Sequence, residues 1–324
     1  MKWTKLTALA LVLLLALSVL AACAPKTAQS EPDGGISIVS TIFPSYDFAR
    51  QITAGTNAQV TMLLQPGEEV HSYDPTSQDI IRIQNADLFL YVGGENDAWI
   101  DSVLSGLDKS VHTFRMMDYV TLYEEELVEG MQPEEEDPAE QAAGAAEEHE
   151  WDEHVWTAPV NAVAIVKAMT AELIAVDPAN AAAYQANSDA YVTQLEALDQ
   201  SFRDVVDTAA RKTVVFADRF PARYFVEEFG LDYYAAFPGC SAETEASAAT
   251  IASLIDHVNA ENIPAVFYIE MSNRQMADTV SEATGAKELL FHTCHNVTKA
   301  EFESGATYLS LMQNNVEALK EALN

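Results

Sequence analysis

Short apolar runs alternate with longer helical patterns along this chain, and that alternation restricts the fold more than any other feature. The runs ISIVSTI (36–42), AQVTMLL (58–64), DLFLYVG (87–93) and VHTFRMM (111–117) are separated by segments such as SYDFARQITAG and PTSQDIIRIQNA. The separating segments carry helical spacing and helix-start residues, Ser45 and Thr76. A βαβα order requires crossover connections and hence a parallel sheet. The same order returns in TVVFAD (213–218), YYAAFP (233–238), AVFYIE (265–270) and KELLFH (287–292).

Two lobes follow from this repetition. A domain of residues 36–177 and another of residues 213–324 flank residues 178–212, which are rich in alanine and straight-chain residues and free of internal Pro and Gly after their start. A helix of roughly 30 residues spans about 45 Å, longer than one small domain. The expected fold class is therefore α/β: two parallel-sheet lobes joined by a single long rigid helix. A loop following the carboxyl end of a parallel strand is where such folds place ligands.

The first 22 residues open with Lys2 and Lys5, continue as LTALALVLLLALSVL and close on small residues, the pattern of a signal peptide. Leu20-Ala21-Ala22-Cys23 resembles a bacterial lipobox, which makes Cys23 a lipidation site and residues 23–35 a polar tether between lipid and fold. Loss of that leader takes the formal charge from −33 to −35, because it removes two lysines and no acid. So acidic a surface repels nucleic acid and anionic lipid, leaving the Cys23 anchor as the only membrane contact. Residues 124–153 lack Lys and Arg and are dominated by Glu. They are expected to form a mobile acidic loop, a solvated insertion that also concentrates divalent cations around its carboxylates and His149.

Three stretches carry metal-ligand chemistry. LLQPGEEVHSYDPTSQD presents His71 in a loop after a strand, and EWDEHVWTAPVNA presents His154 where the acidic segment meets a helix opening near Pro159. LLFHTCHNV (289–297) places His292, Cys294 and His295 within four positions. Taken singly, each histidine is as well explained by capping or packing as by coordination.

Together these stretches resemble the substrate-binding lipoproteins of zinc and manganese ABC importers, the cluster A-I or family 9 solute-binding proteins. PGEEVHSYDPTSQD is similar to that family's Pro-Gly and His-Ser-Tyr-(Asp/Glu)-Pro-Thr stretch. DEHVWTAPVNA is similar to its Asp-Pro-His-(Ile/Val)-Trp stretch, with Glu153 in place of the usual proline. The match extends, in order, over essentially the whole mature chain. It implies a four-ligand metal site in the interlobe cleft, walled by Trp156 and Phe43.

Two ligands carry over as His71 and His154. The third family position falls at Ala217 in VVFADRF, which cannot bind metal, and the fourth, usually acidic, falls at His292. Water, His295, Glu243, Asp218 or a free Cys240 could complete the site. Asp218 is expected to pair with Arg219 or Arg223, or to cap a helix. Cys240 and Cys294 both follow second-lobe strands on the site face, so a disulfide between them is expected in an oxidising compartment.

The resemblance implies a monomeric, lipid-anchored extracytoplasmic receptor that hands a metal to the permease of an ABC importer. The His-dominated ligand set points to Zn²⁺ over Mn²⁺, whose sites usually contain more carboxylates. Two other readings are a metal-scavenging or adhesin-like surface lipoprotein and an extracytoplasmic metallohydrolase. The chain lacks an HExxH-type motif and a dedicated general base, so it is not expected to be an enzyme.

Overall fold

A computed structural model describes residues 34–70, 73–107, 110–133, 150–241 and 245–324. The signal peptide, Cys23, His71, His149 and Glu243 lie outside the described residues. Residues 36–324 form one compact unit.

That unit holds two four-stranded sheets, all of whose pairings are parallel. The first contains β1 (Ser37–Ser40), β2 (Gln59–Met62), β3 (Leu88–Tyr91) and β4 (Thr113–Arg115) in the order β2-β1-β3-β4. The second contains β5 (Thr213–Phe220), β6 (Asp232–Pro238), β7 (Ala265–Tyr268) and β8 (Lys287–Leu290), ordered β6-β5-β7-β8. Both orders turn back on either side of the lobe's first strand. This arrangement opens a crevice at the strands' carboxyl ends.

Helices cover the sheets where the sequence provides start signals. In the first lobe, α1 (Phe43–Ile52) and α2 (Ser77–Asn85) precede α3 (Ala98–Gly106). The α2 start is a capping box in which Thr76 and Asp79 satisfy each other's backbone N–H groups. Ser45 is not a start residue: α1 begins two positions earlier, and the Ser45 hydroxyl lies 2.6 Å from that of Ser40 in the lobe's core. Beyond the acidic segment comes α4 (Pro159–Val176), opening on the proline that the sequence marked.

The long helix is α5, Ala181–Thr208. It is shorter at both ends than expected, because Pro178–Asn180 form a separate 3-10 turn and the backbone leaves the helix at Ala209. Its 28 residues still span about 42 Å. Tyr184, Tyr191, Leu195, Leu198, Phe202 and Val205 recur at helical spacing and are buried along the face that α5 turns to its neighbours, α4 and α1 among them.

In the second lobe α6 (Arg223–Phe229), α7 (Ala248–Glu261), α8 (Gln275–Thr284) and α9 (Lys299–Ser304) flank the sheet, and α10 (Tyr308–Ala322) ends the chain. That last helix returns to the first lobe. Tyr308 N–H donates to Asp47 at 2.9 Å, its hydroxyl to the Trp156 carbonyl at 2.7 Å, and its ring meets Phe48 edge-on at 4.9 Å. Accordingly one hydrophobic cluster runs without a break from Ile38 through Trp156 and Phe202 to Phe291 and Leu323.

The acidic segment is ordered at both ends, which corrects the expectation of a mobile loop throughout 124–153. Glu124 and Trp151 form an antiparallel bridge that closes its base. Met131 is buried, and Gln132 N–H donates to the Ala236 carbonyl at 2.9 Å, so the outgoing strand docks on the second lobe. Residues 134–149 lie outside the described part.

Candidate metal centre

His154 is fully buried where the chain leaves the acidic segment and turns into α4. Asp152 builds this turn: its Oδ1 accepts from the His154 backbone N–H at 2.8 Å and lies 3.1 Å from the ring Nδ1. A carboxylate on Nδ1 fixes the tautomer and ring orientation and leaves Nε2 as the acceptor nitrogen. Burial works against charge on this imidazole, but Asp152, Glu153 and Glu125 outweigh it and raise the pKa above the ordinary histidine value. Glu153, in the place of the family proline, is itself buried and accepts a hydrogen bond from Asn96. Burial pushes its carboxyl up to about 7.

The imidazole that packs against His154 is that of His295. The rings of His154 and His295 meet edge to face with centroids 4.5 Å apart, and Trp156 stands 4.7 Å from His295 and 5.6 Å from His154. Trp156 is thus a wall, as expected, and its indole N–H also donates to the Thr293 carbonyl at 2.8 Å. Phe43 contributes differently: its backbone N–H donates to the His295 carbonyl at 3.2 Å while its ring sits in the core.

The loop after β8 explains the exchange of histidines. Strand β8 ends at Leu290, and Phe291 turns inward against Phe216, Phe225 and Phe267. His292 then faces α9 and α10. Its Nδ1 accepts from Cys294 N–H at 3.0 Å, its Nε2 lies 3.7 Å from Glu301, and its backbone is clamped at both N–H and C=O by Asn315. Cys294 takes a left-handed φ of 64°, which reverses the chain and brings His295 to the cleft. Glu270 secures the turn by accepting from Thr293 N–H, the Thr293 hydroxyl and His295 N–H.

The expected disulfide is absent, and both cysteines are free thiols. Cys294 is fully buried in the main core, whereas Cys240 faces Glu125, Asp152 and Glu153. The two thiols are directed into different surroundings. Burial beside those carboxylates holds the Cys240 thiol well above its ordinary pKa.

The vacant family position is also corrected. Ala217 packs inside the second lobe with Val215, Ala236 and Val266, away from the cleft. Arg219 is the β5 residue that reaches the cavity. Asp218 spends its carboxylate on the backbone N–H groups of Arg219 and Ile269, so it pairs with Arg219 through the main chain and is not placed to coordinate.

A cavity of about 10 Å³, room for one water or small ion, is lined by Glu69, Arg219, Gly239, Glu270, His295 and Asn296. Three of its determinants had no sequence signal strong enough to single them out. A Cβ on Gly239 would stand 2.8 Å from the Phe220 carbonyl and 2.9 Å from His154, so only glycine lets this loop approach the imidazole. Asn296 donates to the Gln65 and Glu68 carbonyls at 2.7 and 2.9 Å, tying the His295 loop to the first-lobe loop that leads to His71. Glu270 is visible only once β7 and β8 are adjacent. Among the described residues, no three His, Cys, Asp or Glu side chains converge on one point. The described part of the site is the His154–His295 pair. His112 pairs with Glu172 at 2.8 Å and His257 stacks on Tyr234 with centroids 3.6 Å apart.

Two parallel α/β lobes, with two buried histidines meeting where the strands' carboxyl ends open, have the architecture of a two-lobed binding protein. Residues 38–322 match the family described as zinc-uptake complex component A, periplasmic (ZnuA), and the chain belongs to that family. It is 30% identical to the high-affinity zinc uptake system protein ZnuA of Bacillus subtilis over 99% of this chain and 98% of that protein. It is 31% identical to the zinc-binding lipoprotein AdcA of Streptococcus pneumoniae over 90% of this chain, but spans only 57% of AdcA. The crystal structure of the Zn(II)-bound ZnuA-like domain of that AdcA superposes with a TM-score of 0.72 at 27% identity, covering 90% of this chain and 99% of the domain.

Proposed function

We propose that this chain captures Zn²⁺ outside the cytoplasm, between a lobe of residues 36–177 and a lobe of residues 213–324, and delivers it to the permease of an ABC importer. The observation that carries the proposal is the buried edge-to-face pair of His154 and His295, one imidazole from each lobe, 4.5 Å apart. His71 is the third ligand of this reading, three residues along the chain from Glu68, whose carbonyl, like that of Gln65, accepts from Asn296. A three-imidazole site completed by water suits zinc and disfavours harder, oxygen-seeking ions such as Mn²⁺.

The protein binds and releases its cargo without chemistry. Cys23 carries the lipid that keeps it at the membrane, and the monomer is the working unit. Names of relatives support this reading, since both ZnuA and AdcA are described as zinc proteins. Isothermal titration of the lipid-free protein with Zn²⁺ and Mn²⁺ tests it. Submicromolar zinc binding, tighter than manganese, is expected, and no zinc binding below micromolar concentrations would refute the transport reading.

A further inference from the structure

A cation receptor with a buried guanidinium in its cleft needs an explanation. Arg219 is 6% exposed and lines the cavity that His295 also lines. The β5–β6 ladder is interrupted between Phe216 and Arg219, and the side chain emerges from the strand's carboxyl end. There its fork meets the carboxylate of Glu69 from the first lobe: Nη1 lies 3.3 Å from Oε1 and Nη2 3.2 Å from Oε2. Nη1 also donates to the Ser241 carbonyl at 3.3 Å. A two-pronged pair between a buried arginine and a carboxylate fixes both groups in one orientation.

Glu69 stands two residues before His71 in the sequence and lines the cavity that Arg219 and His295 also line. A carboxylate donated to the metal would move the site from imidazole-dominated toward the oxygen-rich set that Mn²⁺ prefers. We infer that Arg219 is a specificity-determining residue: by engaging Glu69 it withholds a carboxylate from the metal and keeps the site nitrogen-rich, and therefore selective for zinc over manganese. The inference rests on the zinc-receptor reading above.

The test is a titration of the lipid-free protein with Zn²⁺ and with Mn²⁺ in the wild type, Arg219→Met, Arg219→Lys and the double variant Arg219→Met/Glu69→Gln. Circular dichroism checks that each variant folds. Should Arg219→Met not fold, Arg219→Gln carries the same expectation, since its amide can still donate to the Ser241 carbonyl. Arg219→Met is expected to bind Mn²⁺ about tenfold or more tightly than the wild type, narrowing the zinc preference by the same factor, because one added carboxylate suits the harder ion. Arg219→Lys keeps a cation against Glu69 and restores the wild-type preference. The double variant loses the manganese gain. A folded Arg219→Met with unchanged Mn²⁺ affinity, with abolished zinc binding, or with a gain that survives Glu69→Gln overturns the inference. Absence of zinc binding in the wild type refutes the receptor reading itself, a separately identifiable result.

Discussion

The imidazoles of His154 and His295 meet edge to face with centroids 4.5 Å apart, although 140 positions separate them in the chain. Each is fixed by a different device. Asp152 holds the His154 ring at Nδ1, and Glu270 with the left-handed Cys294 holds the loop that carries His295. A site assembled from two independently braced side chains is preorganised, so little ordering remains to oppose capture of an ion.

The two histidines of the FHTCHN stretch separate cleanly by assay. His295→Ala is expected to weaken zinc binding by about a hundredfold or more, since loss of a ligand exceeds the cost of losing one of its supports. His292→Ala is expected to spare zinc binding within a small factor while destabilising the fold by about 1–3 kcal/mol, because Cys294 N–H and Glu301 lose a buried partner. Parallel calorimetric titration and urea unfolding of both variants check this. The opposite pattern would restore His292 as the ligand.

Asp152→Asn removes the charge on His154 Nδ1 without changing the size of the side chain. An expected loss of about 10- to 100-fold in zinc affinity follows from weaker orientation and lower ligand basicity. Unchanged affinity would mean that the carboxylate only caps the turn.

Glu301 makes the stability of the second lobe depend on pH. The His292 imidazole, whose Nε2 stands 3.7 Å from it, depresses the carboxyl to about 2, assisted by the N–H and hydroxyl of Thr298 and opposed by partial burial. The folded value lies below the unfolded one, so the carboxylate stabilises the fold fully above the ordinary carboxylate range. That contribution disappears as pH falls from about 4.5 towards about 2. The difference in melting temperature between wild type and Glu301→Gln should therefore be largest near neutrality and shrink across that window. A difference independent of pH would locate the effect in packing.

Free cysteines give a chemical prediction. In protein lacking Cys23, thiol reagent should modify Cys294 only after denaturation, since it is fully buried and its pKa is pushed well above the ordinary thiol value by that burial. Cys240 should react slowly in the native state. A native protein whose two thiols appear only after reduction would establish the disulfide that the structure lacks.

Strand–helix alternation was legible because each element buries its own apolar face, a local property. Thr76 and Pro159 marked helix starts for the same reason. The site was legible only as a set of histidines. Choosing between His292 and His295 required knowing that β8 stops at Leu290 and that Cys294 reverses the chain, and a positive φ at cysteine leaves no mark in the sequence. Counting along VVFADRF led to Ala217, whereas the irregular ladder between Phe216 and Arg219 delivers Arg219 to the cavity. The pairing of Cys240 with Cys294 was inferred from strand ends alone, and the thiols' surroundings are set by tertiary packing.

X-ray absorption at the zinc edge of the loaded protein reads the ligand set itself. The account predicts a first shell of nitrogen and oxygen at about 2.0–2.1 Å with the multiple scattering of at least two imidazoles, diminished in His154→Ala and in His295→Ala. A sulfur shell at about 2.3 Å, or an imidazole signature untouched by both substitutions, would contradict it.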